Sequence, residues 1–363
     1  MSRLNIAIFG SSLVSAYQNR PVGYFRGLVR ALSECGHRVT FYEPKNPERL
    51  AHRDLANPHW AKVVFYAAND EAALDALERS EESDLIIKCS GVGECDDLLE
   101  AAVLELKRPE TLVAFLDANP CATLDRIHNN PEDYFRPLIP EYDFIIARGG
   151  GNPVVDAYSA LGATECVPIY NALDPNLHFP VPSEKKFEAD LGLLNDHTPE
   201  RETRVKEFLF KPAASLPDQK FLIGGAGWQK ESLPANVASL DEIPDDQRNA
   251  FNSTVRAVLN VNCGCATRYG FSPPPTVFEA AGAGACLITD KWEGIELFLE
   301  PERELLVAAN GEEVAEHLRK LTPERAKEIG EAARRRVLGA HTYAHRAHQI
   351  ERILEVKAGR VIA

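Results

Sequence analysis

Apolar, β-branched runs of four to seven residues recur along the chain, separated by stretches whose apolar positions fall every three or four residues. The first spacing predicts strands and the second amphipathic helices. Strands are predicted over Asn5–Phe9, Arg38–Tyr42, Asp84–Lys88, Thr111–Leu116, Phe144–Ala147 and Ala163–Ile169. Helical spacing fills Val22–Cys35, Glu71–Ser80 and Asp96–Leu106 between them. Strands alternating with helices through short turns predict a parallel sheet covered on both faces.

The segment from Tyr170 to Pro182, YNALDPNLHFPVP, follows neither period and reads as a linker between two lobes. The alternation then restarts. Strands are predicted over Ala189–Leu194, Lys220–Gly224, Val237–Leu240, Ala257–Asn262, Ala285–Thr289 and Leu305–Ala308, and helices over Thr203–Leu209, Thr276–Ala283, Gly311–Leu321 and Thr322–Val337. A long amphipathic helix runs from Tyr343 to the end. The predicted division is a first Rossmann-like lobe over 1–172, a second over 173–342, and a terminal helix over 343–363 packing back on the first.

Length agrees with this division, since 363 residues correspond to about two domains. Hydrophobic residues make up 45% and charged residues 26%, which excludes a disordered or fibrous chain. Lys and Arg number 40 against 54 Asp and Glu, a net charge of −14 that disfavours nonspecific nucleic-acid or anionic-membrane binding while leaving room for a local basic groove. The apolar start, LNIAIFG, is a strand's length, too short for a secretory signal or a membrane span. The eight cysteines sit mostly in apolar runs. Cys263 and Cys265 are spaced too closely for a zinc pair, so free thiols in a reducing cytoplasm are expected.

Doubly wound sheets bind ligands beyond their strand C-termini, which draws attention to the glycine turns there. Gly10, Gly91-Val-Gly93, Gly149-Gly-Gly151 and Gly224-Gly-Ala-Gly227 follow predicted strands, yet none completes G-x-G-x-x-G, and no phosphate-loop motif occurs. A dinucleotide oxidoreductase or phosphate-loop NTPase is therefore poorly supported. More informative is RYGFSPPPTVFEAAGAGACLITD over 268–290. Its prolines preset the first turn of a helix that Ser272 or Thr276 can cap, and the helix start suits a diphosphate. Glu279, one turn inside, suits the vicinal hydroxyls of a sugar. Each feature also has a plain structural reading: a tight turn, or an acidic residue on a packed helix.

The stretch FEAAGAGACLITDKWEGIELFLEPERELLVAANGEEV, followed by AHTYAHRAHQIERIL, resembles the C-terminal half of the CgeB-like (spore-maturation-type) glycosyltransferases. The opening SSLVSAYQNRPVGYFRGLVRALSECGHRVTFYEP, FLDANPCATLDRI and PIYNALDPNLHFPVP are similar to that family too, so the resemblance covers nearly the whole chain. It implies a GT-B fold, with two Rossmann-like lobes whose parallel sheets face across a cleft. It also implies a nucleotide-sugar donor on the C-terminal lobe and an acceptor mainly on the N-terminal one. Phe271 stands where related retaining enzymes carry a first Glu, and Thr276 where the family often carries Arg. Carried over by position, Glu279 would hold the nucleotide ribose, and Ser272 to Thr276 with Gly225 to Gly227 would face the diphosphate. Arg201 and Arg268 would supply positive charge against the leaving group.

The expected reaction is metal-independent sugar transfer from a UDP-sugar to an unidentified acceptor, with no cofactor beyond that co-substrate. No D-x-D triplet occurs, and His341, His345 and His348 read as structural rather than as ligands. Asp117, ending the strand VAFL and preceding Asn119-Pro120, is the candidate catalytic base, its alternative role being a turn-forming Asp; His128 is a distant second. An epimerase acting on sugar nucleotides and a non-catalytic donor-binding protein remain as alternatives, and a nucleic-acid acceptor is disfavoured but not excluded.

Overall fold

The computed structural model describes residues 3–19, 21–240, 243–262 and 269–361. The chain divides into two units, the first made of Met1–Asn171, Thr267–Ser272 and Tyr343–Ala363, the second of Ala172–Ala266 and Pro273–Thr342. Each is an α/β unit built on one wholly parallel sheet.

In the first unit the strands are β1 (Asn5–Phe9), β2 (Arg38–Pro44), β3 (Lys62–Tyr66), β4 (Leu85–Cys89), β5 (Leu112–Asp117), β6 (Phe144–Ala147) and β7 (Cys166–Pro168), in the order β3-β2-β1-β4-β5-β6-β7. Its helices are α1 (Val22–Glu34), α2 (Pro47–Ala51), α3 (Asp70–Glu78), α4 (Asp96–Ala102), α5 (Pro120–Asn129) and α6 (Gly151–Ala160), joined at the chain's end by α13 (Tyr343–Val361). β4, with neighbours on both sides, is buried at every residue, as a strand covered on both faces must be. Packing of α13 on α1 is close: a Cβ at Gly27 would stand 2.2 Å from the Tyr343 ring. Further along, Lys357 donates to the Asp143 carbonyl at 2.8 Å and pairs with Glu165 at 3.0 Å.

The second unit holds β8 (Leu191–Leu194), β9 (Phe221–Gly224), β10 (Val237–Leu240), β11 (Ala257–Asn260), β12 (Leu287–Asp290) and β13 (Leu306–Ala308), ordered β10-β9-β8-β11-β12-β13. Around them lie α7 (Pro199–Val205), α8 (Lys211–Ser215), α9 (Asp245–Thr254), α10 (Pro275–Gly282), α11 (Gly311–Lys320) and α12 (Pro323–Ala340). In both sheets the order reverses once, between β1 and β4 and between β8 and β11. That reversal opens a crevice beyond the strand C-termini.

The doubly wound class is as expected, but β3, α5, α6 and α9 were not. α9 reads DDQRNAFNST, almost wholly polar, and only the burial of Asn249, Ala250, Phe251 and Asn252 gives it a packed face. The described cysteines, Cys35, Cys89, Cys95, Cys121, Cys166 and Cys286, are free thiols. Among the described residues no helix is long and apolar enough to cross a membrane.

Candidate functional site

The C-terminal edge of the second unit's sheet gathers Arg201, Gly225, Gly227, Thr276 and Glu279. On the β8–β9 side, two loops interlock. A Cβ at Gly225 (φ +139°) would meet the Asn195 carbonyl oxygen at 2.4 Å, so only glycine lets the turn after β9 lie against the loop after β8. The contact is held by Trp228 Nε1 donating to that carbonyl at 2.5 Å, by the Ala226 N–H donating to Asp196 Oδ1 at 3.0 Å, and by the His197 N–H donating to the Ala226 carbonyl at 2.9 Å. Arg201, in α7, donates to Asn195 Oδ1, and no carboxylate among the described residues pairs with it. A guanidinium held by a neutral acceptor keeps its charge for an anion.

Across the switch point, polar side chains at the ends of β11 and β12 form a chain. Thr276 Oγ1 donates to Asn260 Oδ1 (3.0 Å), Asn260 Nδ2 to Thr289 Oγ1 (3.0 Å), and Thr289 Oγ1 to Asp290 Oδ1 (3.3 Å). Asp290, 2% exposed, also accepts from the Asn262 N–H at 3.1 Å and forms an ion pair with Arg204. Burial pushes its carboxyl above the usual range, against the pull of Asn262 and Arg204. Asn260, Asn262, Arg204 and Asp290 were not singled out from sequence. A carboxylate closing the strand LITD was the one readable signal among them.

α10 begins with Pro275 at its first position and has no side-chain cap. Thr276, expected as a possible cap, instead bonds Asn260, which leaves the leading N–H groups of the helix without a side-chain acceptor among the described residues. One turn in stands Glu279, its side chain 20% exposed, with Arg248 Nη1 at 3.9 Å and no hydrogen-bond donor among the described residues on its carboxylate.

Two expectations need correction. Ser272 belongs to the first unit, not to the capping turn of α10. Its hydroxyl donates to the Arg148 carbonyl at 3.3 Å, while the Gly150 N–H donates to the Phe271 carbonyl at 2.6 Å and the Phe271 ring stacks on Tyr170 at 5.7 Å. The glycines 149–151 thus seat a returning segment of chain. Asp117 lies at the end of β5 as expected, but is fully buried and accepts from four donors: Ser90 Oγ (3.0 Å), the Asn119 N–H (3.0 Å), Thr123 Oγ1 (3.0 Å) and Tyr158 OH (2.5 Å). Burial raises its pKa against those bonds. A carboxylate so enclosed organises the turn before α5, which is the turn-forming role that was the alternative for it. Arg268 falls outside the described residues.

His341 closes α12 in the second unit, with its ring 5.4 Å from that of Phe298, whereas His348 Nδ1 bonds Glu351 at 2.7 Å in the first.

Residues 201–352 match the protein family described as glycosyl transferase-like. No curated protein matches the chain. Among solved structures, the chain is similar to the Anabaena HepE protein in complex with UDP and glucose (14% identity, TM-score 0.69, covering 98% of this chain and all of that one). It is likewise similar to sucrose-phosphate synthase from Thermosynechococcus elongatus (13%, 0.68, 97% and 98%). A third is an α-glucosyltransferase in complex with UDP and a 13-mer DNA containing an HMU base (11%, 0.67, 98% and 100%). At these identities the likeness shows the fold, and the fold is GT-B. The chain thus has the GT-B architecture, and its residues 201–352 carry the likeness to glycosyl transferases.

Proposed function

We propose that the protein transfers a sugar from a UDP-sugar to an acceptor hydroxyl, with the donor held on the second unit. The observation that carries this reading is Glu279, a partly exposed carboxylate one turn inside a helix start without a side-chain cap, with no hydrogen-bond donor among the described residues. An ionised carboxylate only accepts, and two adjacent ribose hydroxyls only need to donate. Arg201, whose described partner is neutral, and the leading N–H groups of α10 are assigned to the diphosphate, whose charge grows as the glycosidic bond breaks. Thr276 and the turn from Gly225 to Gly227 shape this pocket; Ser272 is not retained in it. Fixed cationic groups replace Mg²⁺ or Mn²⁺ at the diphosphate. The HepE and α-glucosyltransferase structures, which contain UDP, support the choice of base.

The finer assignment is to the CgeB-like group, acting in the cytoplasm, a compartment that suits the free thiols. A net charge of −14 argues against a nucleic-acid acceptor. Calorimetric titration with UDP tests the donor site. Glu279→Ala is expected to weaken binding at least tenfold, about one 1.4 kcal/mol step, while remaining folded. Unchanged affinity would remove the assignment.

A further inference from the structure

Beside the interlocked loops of the second unit, His197, Glu202 and Glu231 turn one ligand atom each toward a common point. His197 Nε2 lies 3.7 Å from Glu202 Oε2 and 3.7 Å from Glu231 Oε1, and the three atoms fall within 4.8 Å of one another. Those separations are too long for hydrogen bonds, which run from about 2.7 to 3.2 Å. They are close to the roughly 3.4 Å between ligand atoms of a tetrahedral ion bound at about 2.0–2.2 Å. Nε2 itself is buried and has no hydrogen-bond partner in the described structure. A ring nitrogen set equally between two carboxylate oxygens is placed to share a cation with them.

The surroundings fix each ligand. The His197 ring stands edge-on to the buried Trp228 ring, centroids 4.7 Å apart at 76°, and its backbone N–H is held by Ala226. Gly227 (φ +93°) makes room, since a Cβ there would come within 3.0 Å of His197 Cβ. On Glu202 the other oxygen accepts from Lys206, which orients the carboxylate and leaves Oε2 facing the histidine. Glu231 follows the short turn Trp228–Lys230, its N–H bonded to the Trp228 carbonyl at 3.1 Å. All three side chains are partly open, at 20%, 31% and 34% exposed, which provides an entry path and a fourth position for water.

We infer that His197, Glu202 and Glu231 form a zinc site that ties the loop after β8, helix α7 and the segment after β9 into one clamp. The imidazole selects zinc over Mg²⁺, which takes oxygen ligands in octahedral geometry. This role is structural and independent of the donor reading, because the three residues are not assigned to the sugar nucleotide.

The test uses the full chain and Zn²⁺ alone, by calorimetric titration and thermal unfolding. One equivalent is expected to bind and, at saturation, to raise Tm by roughly 5 °C, with no response to Mg²⁺. Glu231→Gln and Glu202→Gln, both compatible with a folded chain, are expected to weaken Zn²⁺ binding at least tenfold, and His197→Gln to abolish it. Co²⁺ substituted for zinc should show no thiolate charge-transfer band. Such a band would place the ion at the other candidate set, Cys35, His348 and Glu351. That band, absence of binding, or equal binding by wild type and Glu231→Gln would overturn the proposal.

Discussion

β5 and β12 occupy the same place in their two sheets, second beyond the switch point, and each ends in a buried aspartate. In the first unit Asp117 is enclosed by neutral donors: two small hydroxyls, a tyrosine and a backbone N–H. In the second, Asp290 takes a backbone N–H and a side-chain amide from Asn262 and the guanidinium of Arg204, which is itself 36% exposed. Nearby, Glu279 has no hydrogen-bond donor among the described residues. The same topological position has thus become a closed polar plug in one unit and the floor of an open, cationic edge in the other. A carboxylate at a strand's end says little until its partners are counted. Lone pairs already taken stabilise a fold, and free ones are what a ligand can use.

The largest expected effect tests the plug. Asp117→Ala leaves the buried Tyr158 hydroxyl without its acceptor and Thr123 Oγ1 with only the Asn119 carbonyl at 3.4 Å, and should destabilise the protein by about 3 kcal/mol in denaturant titration with an unchanged m-value. Full stability with lost turnover would instead restore Asp117 as a base. Next comes the open carboxylate: Glu279→Ala should cost at least tenfold in UDP affinity while shifting stability by less than about 0.5 kcal/mol. Loss of stability with affinity intact would make Glu279 a packing residue and erase the contrast.

A third prediction concerns pH. In the first unit Glu100, 4% exposed, has its carboxyl pushed up to about 7, chiefly by burial, with Lys88 pulling the other way from 3.8 Å. Between the ordinary glutamate range and about 7, the folded state holds a proton that the unfolded chain has released. Stability therefore falls as pH rises through that window and levels off above it. Glu100→Gln should flatten this decline in Tm between pH 5 and 8; an unchanged profile would show that Glu100 is ionised throughout. The smallest effect tests the fixed cations of the second unit. Donor turnover without Mg²⁺ or Mn²⁺ should change less than about twofold, and a large loss restored by either ion would replace Arg201 and the start of α10 with a metal at the diphosphate.

Most of both sheets was legible because buried parallel strands are short apolar runs and the helices between them keep a 3.6-residue period, so local sequence reports local structure. β3 is an exception. KVVFY has strand composition, but it sits at the sheet's edge with Lys62 exposed and the next three residues only partly covered, and so short an apolar run leaves helix and strand unresolved without the partner that pairs with it. α9 and α6 were hidden for the opposite reason: their polar and glycine-bearing segments become helices once tertiary contacts supply a buried face.

The candidate site divides in the same way. The chain alone announced a proline-led helix with Glu279 one turn inside, because capping geometry and helix pitch are local properties. It could not announce that Ser272 would bond the Arg148 carbonyl, that Thr276 would turn to Asn260, or that Arg201 would find a neutral partner. Nor did it reveal that Asp117 would be closed off by Ser90, Thr123 and Tyr158, residues 27, 6 and 41 positions away, or that Glu202 and Glu231 would face one histidine. Residue type sets what a side chain can donate or accept. Which of those capacities are already satisfied depends on distant segments that folding brings together, and only the tertiary structure decided that.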